Sequence, residues 1–335
     1  MSSPPATAHA RTAAASAREL LGVGALTNAS LTTWLHGLPG VDHVGADARA
    51  AGLGTRSIKT TSKAWAIDMA ISMIDLTTLE GADTEGKVRS LCAKAMTPDP
   101  GDPATPRVAA VCVYNDMVAV AVDALKGSHI HVAAVTTAFP SGRATMAVKL
   151  TDTRDALRAG ANEIDMVIDR GAFLSGRYLQ VFNEIAAIKD ACTRDAPDGA
   201  PAHLKVILET GELVTYDNVR RASWLAMLAG ANFIKTSTGK VSPASTAPVA
   251  MIMLEAARDW RDLTGTQIGV KAAGGIRTTK DAMKYLVMVN EIAGDDWIDP
   301  DWFRFGASGL LNDLLLQRQK LASGHYSGAD YVTID

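Results

Sequence analysis

Short apolar segments alternate with longer amphipathic segments along most of the chain. Eight of the apolar segments are nearly continuously hydrophobic, which is typical of strands buried on both faces of a parallel sheet. They cover residues 72–75, 109–113, 132–135, 163–167, 204–208, 233–236, 268–272 and 303–306. Helical periodicity occupies residues 145–159, 178–192, 217–228, 247–263, 280–292 and 310–321.

This alternation predicts the fold class. Eight strands separated by helices predict an α/β protein with a (β/α)8 TIM barrel. A doubly wound open sheet is the alternative, because periodicity alone does not show that a sheet closes. A nucleotide-binding open sheet would carry G-x-G-x-x-G after its first strand or a G-x-x-x-x-G-K-[ST] loop, and the sequence has neither.

The barrel is predicted to occupy residues 61–322. An N-terminal extension, residues 1–60, is expected to be partly disordered or helical, with short helices near 17–21 and 31–35. Residues 323–335 form a C-terminal tail. Residues 1–17 are rich in Ala, Ser and Thr and poor in acids, so they weakly resemble a transit peptide, but a disordered alanine-rich tail is the favoured interpretation.

Composition narrows the function classes. The chain has 335 residues, 47% of them hydrophobic, which is enough to bury a large core. A formal net charge of -3 and a pI near 6.2 argue against a nucleic-acid partner. No run of 18 apolar residues occurs, so no membrane association is expected. Cys92, Cys112 and Cys192 share no C-x-x-C spacing, which favours a reducing, cytoplasmic location without disulfides.

Charged residues lie inside three of the predicted buried strands. Asp165 is in the fourth, Lys235 in the sixth and Lys271 in the seventh. A single lysine at a strand end is more often a snorkelling or salt-bridged residue, and Asp165 alone fits a structural role equally well. Three such residues together favour chemistry, because the C-terminal ends of barrel strands form the active-site face.

Strand alternation allows Lys235 and Lys271 to point inward from neighbouring strands about 5 Å apart. Two ammonium groups separated by about 5–6 Å repel by roughly 3 kcal/mol at an effective dielectric near 20, which lowers the pKa of one lysine by roughly 2 units. Burial lowers that pKa further. A neutral lysine attacks a carbonyl to give a Schiff base, and Asp165 would keep the second lysine charged or move protons through a water.

Glycine-rich turns follow the last three predicted strands, at residues 236–240, 274–277 and 306–309. Such turns expose backbone N–H groups, and a helix N-terminus favours an anion. The loops after strands seven and eight are a frequent phosphate site in barrels. Any one of these turns is explained by tight geometry alone, but all three on one face favour a phosphorylated substrate.

These segments together resemble the deoxyribose-phosphate aldolase family, which uses a lysine Schiff base (class I). The resemblance runs from about residue 74 to residue 314. It is carried by IDLTTL (74–79), AVCVY (110–114), FPSG (139–142), EIDMV (163–167), LKVILETGEL (204–213), FIKTSTGK (233–240), VKAAGGIR (270–277) and FGAS (305–308). The FIKTSTGK segment is highly specific.

The resemblance implies reversible cleavage of 2-deoxy-D-ribose 5-phosphate into acetaldehyde and D-glyceraldehyde 3-phosphate, with no cofactor or metal. It makes Lys235 the Schiff-base lysine, Lys271 the lysine that perturbs it and Asp165 the proton-transfer residue. The implied substrate and phosphate contacts are Gly239, Lys240, Gly274, Gly275, Gly306 and Ser308. Residues with at most a supporting role are Asp75, Thr77, Cys112 and Lys205. The expected partners are small phosphorylated sugars and aldehydes, and a homodimer is possible.

The sequence departs from the family pattern at three places. Ala272 replaces a common proline, Gly309 replaces a common second serine, and Tyr331 is only a candidate for a C-terminal proton-transfer tyrosine. The N-terminal extension resembles the long form of the family.

Three alternative functions stay open at this point. The first is a metal-dependent aldolase or hydrolase, because His129 and His131 have the spacing of metal ligands on one strand face. They precede the third strand, however, at the wrong end of the barrel. A Schiff-base aldolase for another sugar phosphate is a second alternative. A barrel that only binds a phosphorylated metabolite is the third, against which the two lysines and Asp165 argue.

Overall fold

The computed structural model describes residues 13–196, 200–325 and 328. Within them, parallel strands pair in chain order and the last strand pairs with the first, which closes the barrel. The strands are β1 (Ile74–Thr77), β2 (Ala110–Tyr114), β3 (His131–Thr136), β4 (Glu163–Val167), β5 (His203–Ile207), β6 (Phe233–Lys235), β7 (Gly269–Ala273) and β8 (Phe303–Ala307). The predicted TIM barrel is confirmed, and the open-sheet alternative is wrong.

Helices cover the outside of the barrel. They are α1 (Ala13–Leu21), α2 (Asn28–His36), α3 (His43–Gly54), α4 (Thr60–Ser72), α5 (Glu85–Met96), α6 (Val118–Ala124), α7 (Met146–Arg158), α8 (Arg170–Leu174), α9 (Tyr178–Arg194), α10 (Tyr216–Leu228), α11 (Ala247–Thr264), α12 (Thr279–Ile292) and α13 (Leu310–Ser323). Capping threonines fix the start of α5, α10 and α12, because each hydroxyl accepts a first-turn backbone N–H. Among the described helices, none is long and apolar enough to cross a membrane.

The strand predictions lie within two residues of the observed bounds, and the largest error is at β1. The predicted strand at residues 72–75 begins two residues before the observed one. Ser72 still belongs to α4, where its hydroxyl donates to the Met69 carbonyl. The predicted helices of the barrel omit α4, α5, α6 and α8.

The extension is more helical than predicted. The two predicted helices fall in α1 and α2, whereas α3 was missed because Gly45, Gly52 and Gly54 lower its helix propensity. Asp42 nevertheless starts α3 by accepting the Gly45 N–H at 3.1 Å. The division of the chain at residues 60 and 322 stays a prediction, and residues 1–12 lie outside the described part.

The extension and the barrel share one hydrophobic core. Leu31 and Leu35 are fully buried in the same apolar cluster as the barrel helices. The Trp34 ring packs edge-on against Trp224 with centroids 5.6 Å apart, and Trp224 packs in the same way against Trp260 at 5.7 Å. The extension therefore covers apolar surface that α10 and α11 would otherwise expose.

Candidate active site

Three charged side chains meet inside the barrel near the C-terminal ends of its strands. Lys235 is the last residue of β6, and strand register places Lys271 of β7 directly beside it. Both ammonium nitrogens contact the same carboxylate oxygen, Oδ2 of Asp165 on β4, at 2.7 Å and 2.8 Å. Lys235 is 3% exposed and the other two are fully buried. The structure thus brings together the three residues that the sequence singles out for catalysis.

A second group of charged side chains forms ion pairs with these three. Lys205 on β5 donates to Oδ1 of Asp165 at 3.1 Å and forms a very short bond to Glu163. Asp75 on β1 lies 2.5 Å from the Lys271 nitrogen and 2.7 Å from Arg304. All of these side chains are buried. Asp75 and Lys205, expected to have a supporting role, therefore hold the carboxylate and lysine of the site.

Glu163 and Arg304 are members of this cluster that the sequence analysis did not select. Arg304 donates to Asp75 and lies 3.3 Å from Glu163. Both residues lie inside predicted strands, as Lys235 and Lys271 do. A charged residue within an apolar strand was therefore the signal that could have identified them.

The buried cluster carries more positive than negative groups. Its cations are Lys205, Lys235, Lys271 and Arg304, and its carboxylates are Asp75, Glu163 and Asp165. Lys235 ion-pairs only with Asp165 within the described part of the chain, whereas each other cation contacts two or three carboxylates. With all of these groups ionised, the cluster carries one excess positive charge, so the release of one proton makes it neutral. Lys235 is the cation that the surrounding carboxylates compensate least.

The pKa directions follow from this arrangement. Burial lowers the pKa of Lys235 most strongly, the Asp165 charge opposes that effect, and the Lys271 charge adds to it. Repulsion between the lysines was expected to be the main cause, but desolvation is the larger one. Despite its own burial, Lys271 has a pKa raised well above its usual value because Asp165 and Asp75 stabilise its charge.

Asp165 is held as a carboxylate. Burial raises its pKa, but Lys205, Lys235 and Lys271 together outweigh burial and keep the pKa well below its usual range. Asp165 therefore presents an anionic oxygen within hydrogen-bond distance of the Lys235 nitrogen. The site combines an amine whose pKa is lowered with an ionised carboxylate next to it.

A cavity of about 570 Å³ opens above Lys235 at the C-terminal face of the barrel. The loops after β6, β7 and β8 form one side of it, and the loop after β1 forms the other. All six residues expected to contact substrate or phosphate line this cavity; they are Gly239, Lys240, Gly274, Gly275, Gly306 and Ser308. Thr77 and Gly309 also line it.

Cationic side chains are among the loop and helix residues that line this cavity. Lys240 forms an ion pair with Glu80 at 2.9 Å across the cavity, and Lys87 and Arg277 also line it. Glu80 and Lys87 were missed by the sequence analysis because they lie in the loop after β1 and in α5, away from the glycine-rich turns. The positive side chains and the exposed backbone of the turns suit an anionic group at this end.

A family model described as DeoC/LacD family aldolase matches residues 69–315 of the chain. The chain belongs to the DeoC/LacD family of aldolases. It is 44% identical over 282 residues to the deoxyribose-phosphate aldolase of Mus musculus, a match that covers 81% of this chain and 86% of the mouse protein. It is 42% identical over 300 residues to the Homo sapiens protein of that name, at 86% and 92% coverage.

A solved structure shows the same fold. The tetrameric deoxyribose phosphate aldolase from Aeropyrum pernix superposes with a TM-score of 0.56 at 23% identity. The match covers 80% of this chain and all of that one. The family resemblance and the assignment to an aldolase, a carbon–carbon lyase, are confirmed by the family model and the mammalian relatives.

The remaining candidate residues of the chain lie at the edge of the buried charged cluster or apart from it. The Thr77 hydroxyl donates to the Asp75 carbonyl at 2.8 Å. The thiol of Cys112 is fully buried, and burial raises its pKa. His129 and His131 lie at the N-terminal end of β3, and the described residues include no group of three or more candidate metal ligands. Tyr331 lies outside the described residues.

Proposed function

We propose that the chain catalyses the reversible cleavage of 2-deoxy-D-ribose 5-phosphate into acetaldehyde and D-glyceraldehyde 3-phosphate through a Schiff base on Lys235. The single observation that carries this proposal is the position of Lys235, an under-compensated buried amine at the floor of a cavity with a cationic outer end. The mouse and human relatives carry the name of this activity. The reaction would serve deoxyribonucleotide catabolism.

The first half of the proposed cycle forms the covalent intermediate. The neutral Lys235 amine attacks C1 of the open-chain sugar, and loss of water gives an iminium. Lys271 stays protonated beside Asp165 and Asp75, so it favours the neutral form of Lys235 without competing as a nucleophile. The positive iminium nitrogen then attracts the electron pair of the C2–C3 bond.

The second half breaks the carbon–carbon bond. Asp165, acting through a water, accepts the proton of the C3 hydroxyl, and the C2–C3 electrons move toward the iminium. D-Glyceraldehyde 3-phosphate leaves, and an enamine stays on Lys235. Protonation at C2 and hydrolysis release acetaldehyde and restore the amine.

The phosphate end supplies orientation in this proposal. Lys240, Arg277 and the turns that contain Gly274 and Gly306 would hold the phosphate, with C1 directed toward Lys235. Contacts to a remote group fix the reacting carbon without taking part in bond cleavage. When the substrate binds, its phosphate would replace Glu80 as the ionic partner of Lys240.

The decisive experiment traps the intermediate. Purified protein is incubated with 2-deoxy-D-ribose 5-phosphate and sodium borohydride, and the adduct is located by peptide mass spectrometry. We expect a reduced adduct on Lys235 in the native protein and none in the Lys235→Met variant. The Lys189→Met variant is the matched control, because Lys189 is a partly buried lysine on α9 outside the site; it should label on Lys235 as the native protein does.

Product analysis separates this proposal from its alternatives. Acetaldehyde release supports the stated substrate, whereas a trapped adduct with release of another aldehyde from another sugar phosphate indicates a different Schiff-base aldolase. Binding of the sugar phosphate without trapping or product would sink the enzymatic proposal in favour of a binding protein. Activity that is lost with a chelator would favour the metal alternative.

We also propose a cytoplasmic location and leave the homodimer as a prediction. The three cysteines are free and buried, which suits a reducing compartment. Light scattering coupled to size-exclusion chromatography measures the oligomeric state directly.

A further inference from the structure

Glu209, in the loop after β5, has an unusual backbone conformation. Its φ of 53° and ψ of 62° lie in the left-handed region, which a residue with a Cβ rarely adopts. The residue is also fully buried. A glycine would adopt this conformation without strain. The strain at Glu209 must therefore be offset by an interaction that its side chain makes.

The Glu209 carboxylate supplies that interaction by holding the loop after β6. Its Oε1 accepts the Thr238 N–H at 3.2 Å, and its Oε2 accepts the Thr238 hydroxyl in a short bond. The Thr238 hydroxyl oxygen in turn accepts the Lys240 N–H at 3.1 Å. The carboxylate is therefore connected through the Thr238 side chain to the backbone of Lys240, and Thr238, Gly239 and Lys240 all line the cavity.

Two further contacts join the same pair of loops. The Thr210 N–H donates to the Thr236 carbonyl at 2.9 Å. Gly211 lies so close to Pro243 that a Cβ at position 211 would overlap the Pro243 carbonyl oxygen. The loop after β5 thus packs directly against the loop after β6 and restricts its conformation.

We propose that Glu209 is a positioning residue for the phosphate end of the substrate, acting through Thr238 on the backbone of Gly239 and Lys240. This inference rests on the proposed function for the identity of the substrate. Glu209 itself does not line the cavity among the described residues and touches no reacting atom in the proposal. Its contribution is to fix the turn at residues 238–240 before the phosphate arrives.

The test compares Glu209→Gln with two variants of its partner, Thr238→Val and Thr238→Ser. In E209Q an NH2 group replaces one of the two carboxylate oxygens, so a single acceptor oxygen remains for both the N–H and the hydroxyl of Thr238. T238V lacks the hydroxyl, whereas T238S keeps it. Because a buried hydrogen bond to a carboxylate is lost, we expect E209Q and T238V to raise KM for 2-deoxy-D-ribose 5-phosphate by about tenfold, with kcat changed by less than about threefold. KM of T238S should stay near the native value.

Three controls distinguish positioning from a general structural role. KM for unphosphorylated 2-deoxy-D-ribose should stay within about twofold of the native value in E209Q, because that substrate makes no phosphate contact. Glu184→Gln, at a buried carboxylate on α9 that pairs with Lys149, should leave both KM values unchanged. Thermal unfolding checks that every variant is folded; if E209Q does not fold, T238V against T238S decides the question.

Direct calorimetric binding of inorganic phosphate separates this inference from the proposed function, since it needs no catalysis. A loss of phosphate affinity of about tenfold in E209Q and T238V supports the inference even if no aldehyde is released by any form of the protein. Equal losses in kcat for the phosphorylated and unphosphorylated sugars, with phosphate affinity unchanged, would overturn it.

Discussion

Lys235 is the least compensated cation of a buried cluster that holds seven ionisable side chains, the four cations and three carboxylates described above. Its one ion pair within the described chain is with Asp165, a carboxylate that it shares with Lys205 and Lys271. Burial of a charge without matching compensation destabilises a fold, and nucleophilic lysines depend on the same condition because it favours the neutral amine. At this position, reactivity and stability therefore oppose each other.

Replacement of Lys235 by methionine should accordingly stabilise the protein while it abolishes activity. We expect the free energy of unfolding to rise by about 1–2 kcal/mol near neutral pH, because a buried amine is replaced by an apolar side chain of similar length. Lys205→Met, at a fully buried lysine with three carboxylate neighbours, should instead destabilise the protein by about 3–5 kcal/mol. Urea unfolding followed by circular dichroism measures both changes.

The sign of the pH dependence follows from the lowered pKa of Lys235. Its protonated form is disfavoured in the folded state, so wild-type stability is reduced most below the folded pKa and recovers as pH rises toward the unfolded value near 10.5. The advantage of Lys235→Met should therefore shrink with increasing pH. An advantage that grows with pH, or a destabilised K235M protein, would contradict the charge argument.

At the scale of elements, the register of β6 and β7 decides whether the two lysines proposed for catalysis meet. Phe233 is opposite Gly269, and two residues further along the strands Lys235 is opposite Lys271. A Cβ at position 269 would overlap the Phe233 ring. The missing side chain of Gly269 thus makes room for the aromatic ring while the strands keep their pairing.

The variant Gly269→Ala should therefore disturb both packing and catalysis. We expect a loss of about 1–3 kcal/mol in stability from overpacking, together with a lower rate of borohydride trapping on Lys235. Gly52→Ala is the matched control, because Gly52 lies in α3 with open space around its missing side chain and should become more stable by about 0.5–1 kcal/mol. Unchanged stability and trapping in G269A would show that the ring contact does not maintain the register.

At the scale of the whole molecule, the extension belongs to the core on which the barrel depends. Leu35 of α2 is fully buried in the cluster that includes the barrel helices, and the Trp34–Trp224–Trp260 contacts join α2 to α10 and α11. Arg49 of α3 also pairs with the buried carboxylate of Glu255 on α11 at 2.7 Å. The helices α10 and α11 follow β5 and β6, two of the three strands that contribute lysines to the buried cluster.

Truncation of one buried side chain in the extension should consequently destabilise the entire protein. We expect Leu35→Ala to reduce the free energy of unfolding by about 2–5 kcal/mol within a single cooperative transition. Val44→Ala, at a 79% exposed position of α3, should stay within about 0.5 kcal/mol of the native protein. Two separate unfolding transitions in L35A would instead indicate that the extension unfolds independently of the barrel.

The sequence by itself determined the barrel and the candidate residues Lys235, Lys271 and Asp165, because those signals are local. Buried parallel strands read as apolar runs, so charged residues such as Lys235, Lys271 and Asp165 stand out within them. The glycine-rich turns likewise mark the loops that line the cavity.

Only the tertiary structure decided how these charges are balanced. Glu163 and Arg304 join the buried cluster through contacts between strands distant in sequence, and the proposed role of Glu209 depends on its bond to the next loop. The dominance of burial over the charge of Lys271 also depends on how the barrel encloses Lys235. Periodicity reports which faces of an element are apolar, whereas compensation of a buried charge depends on distances set by the closed barrel.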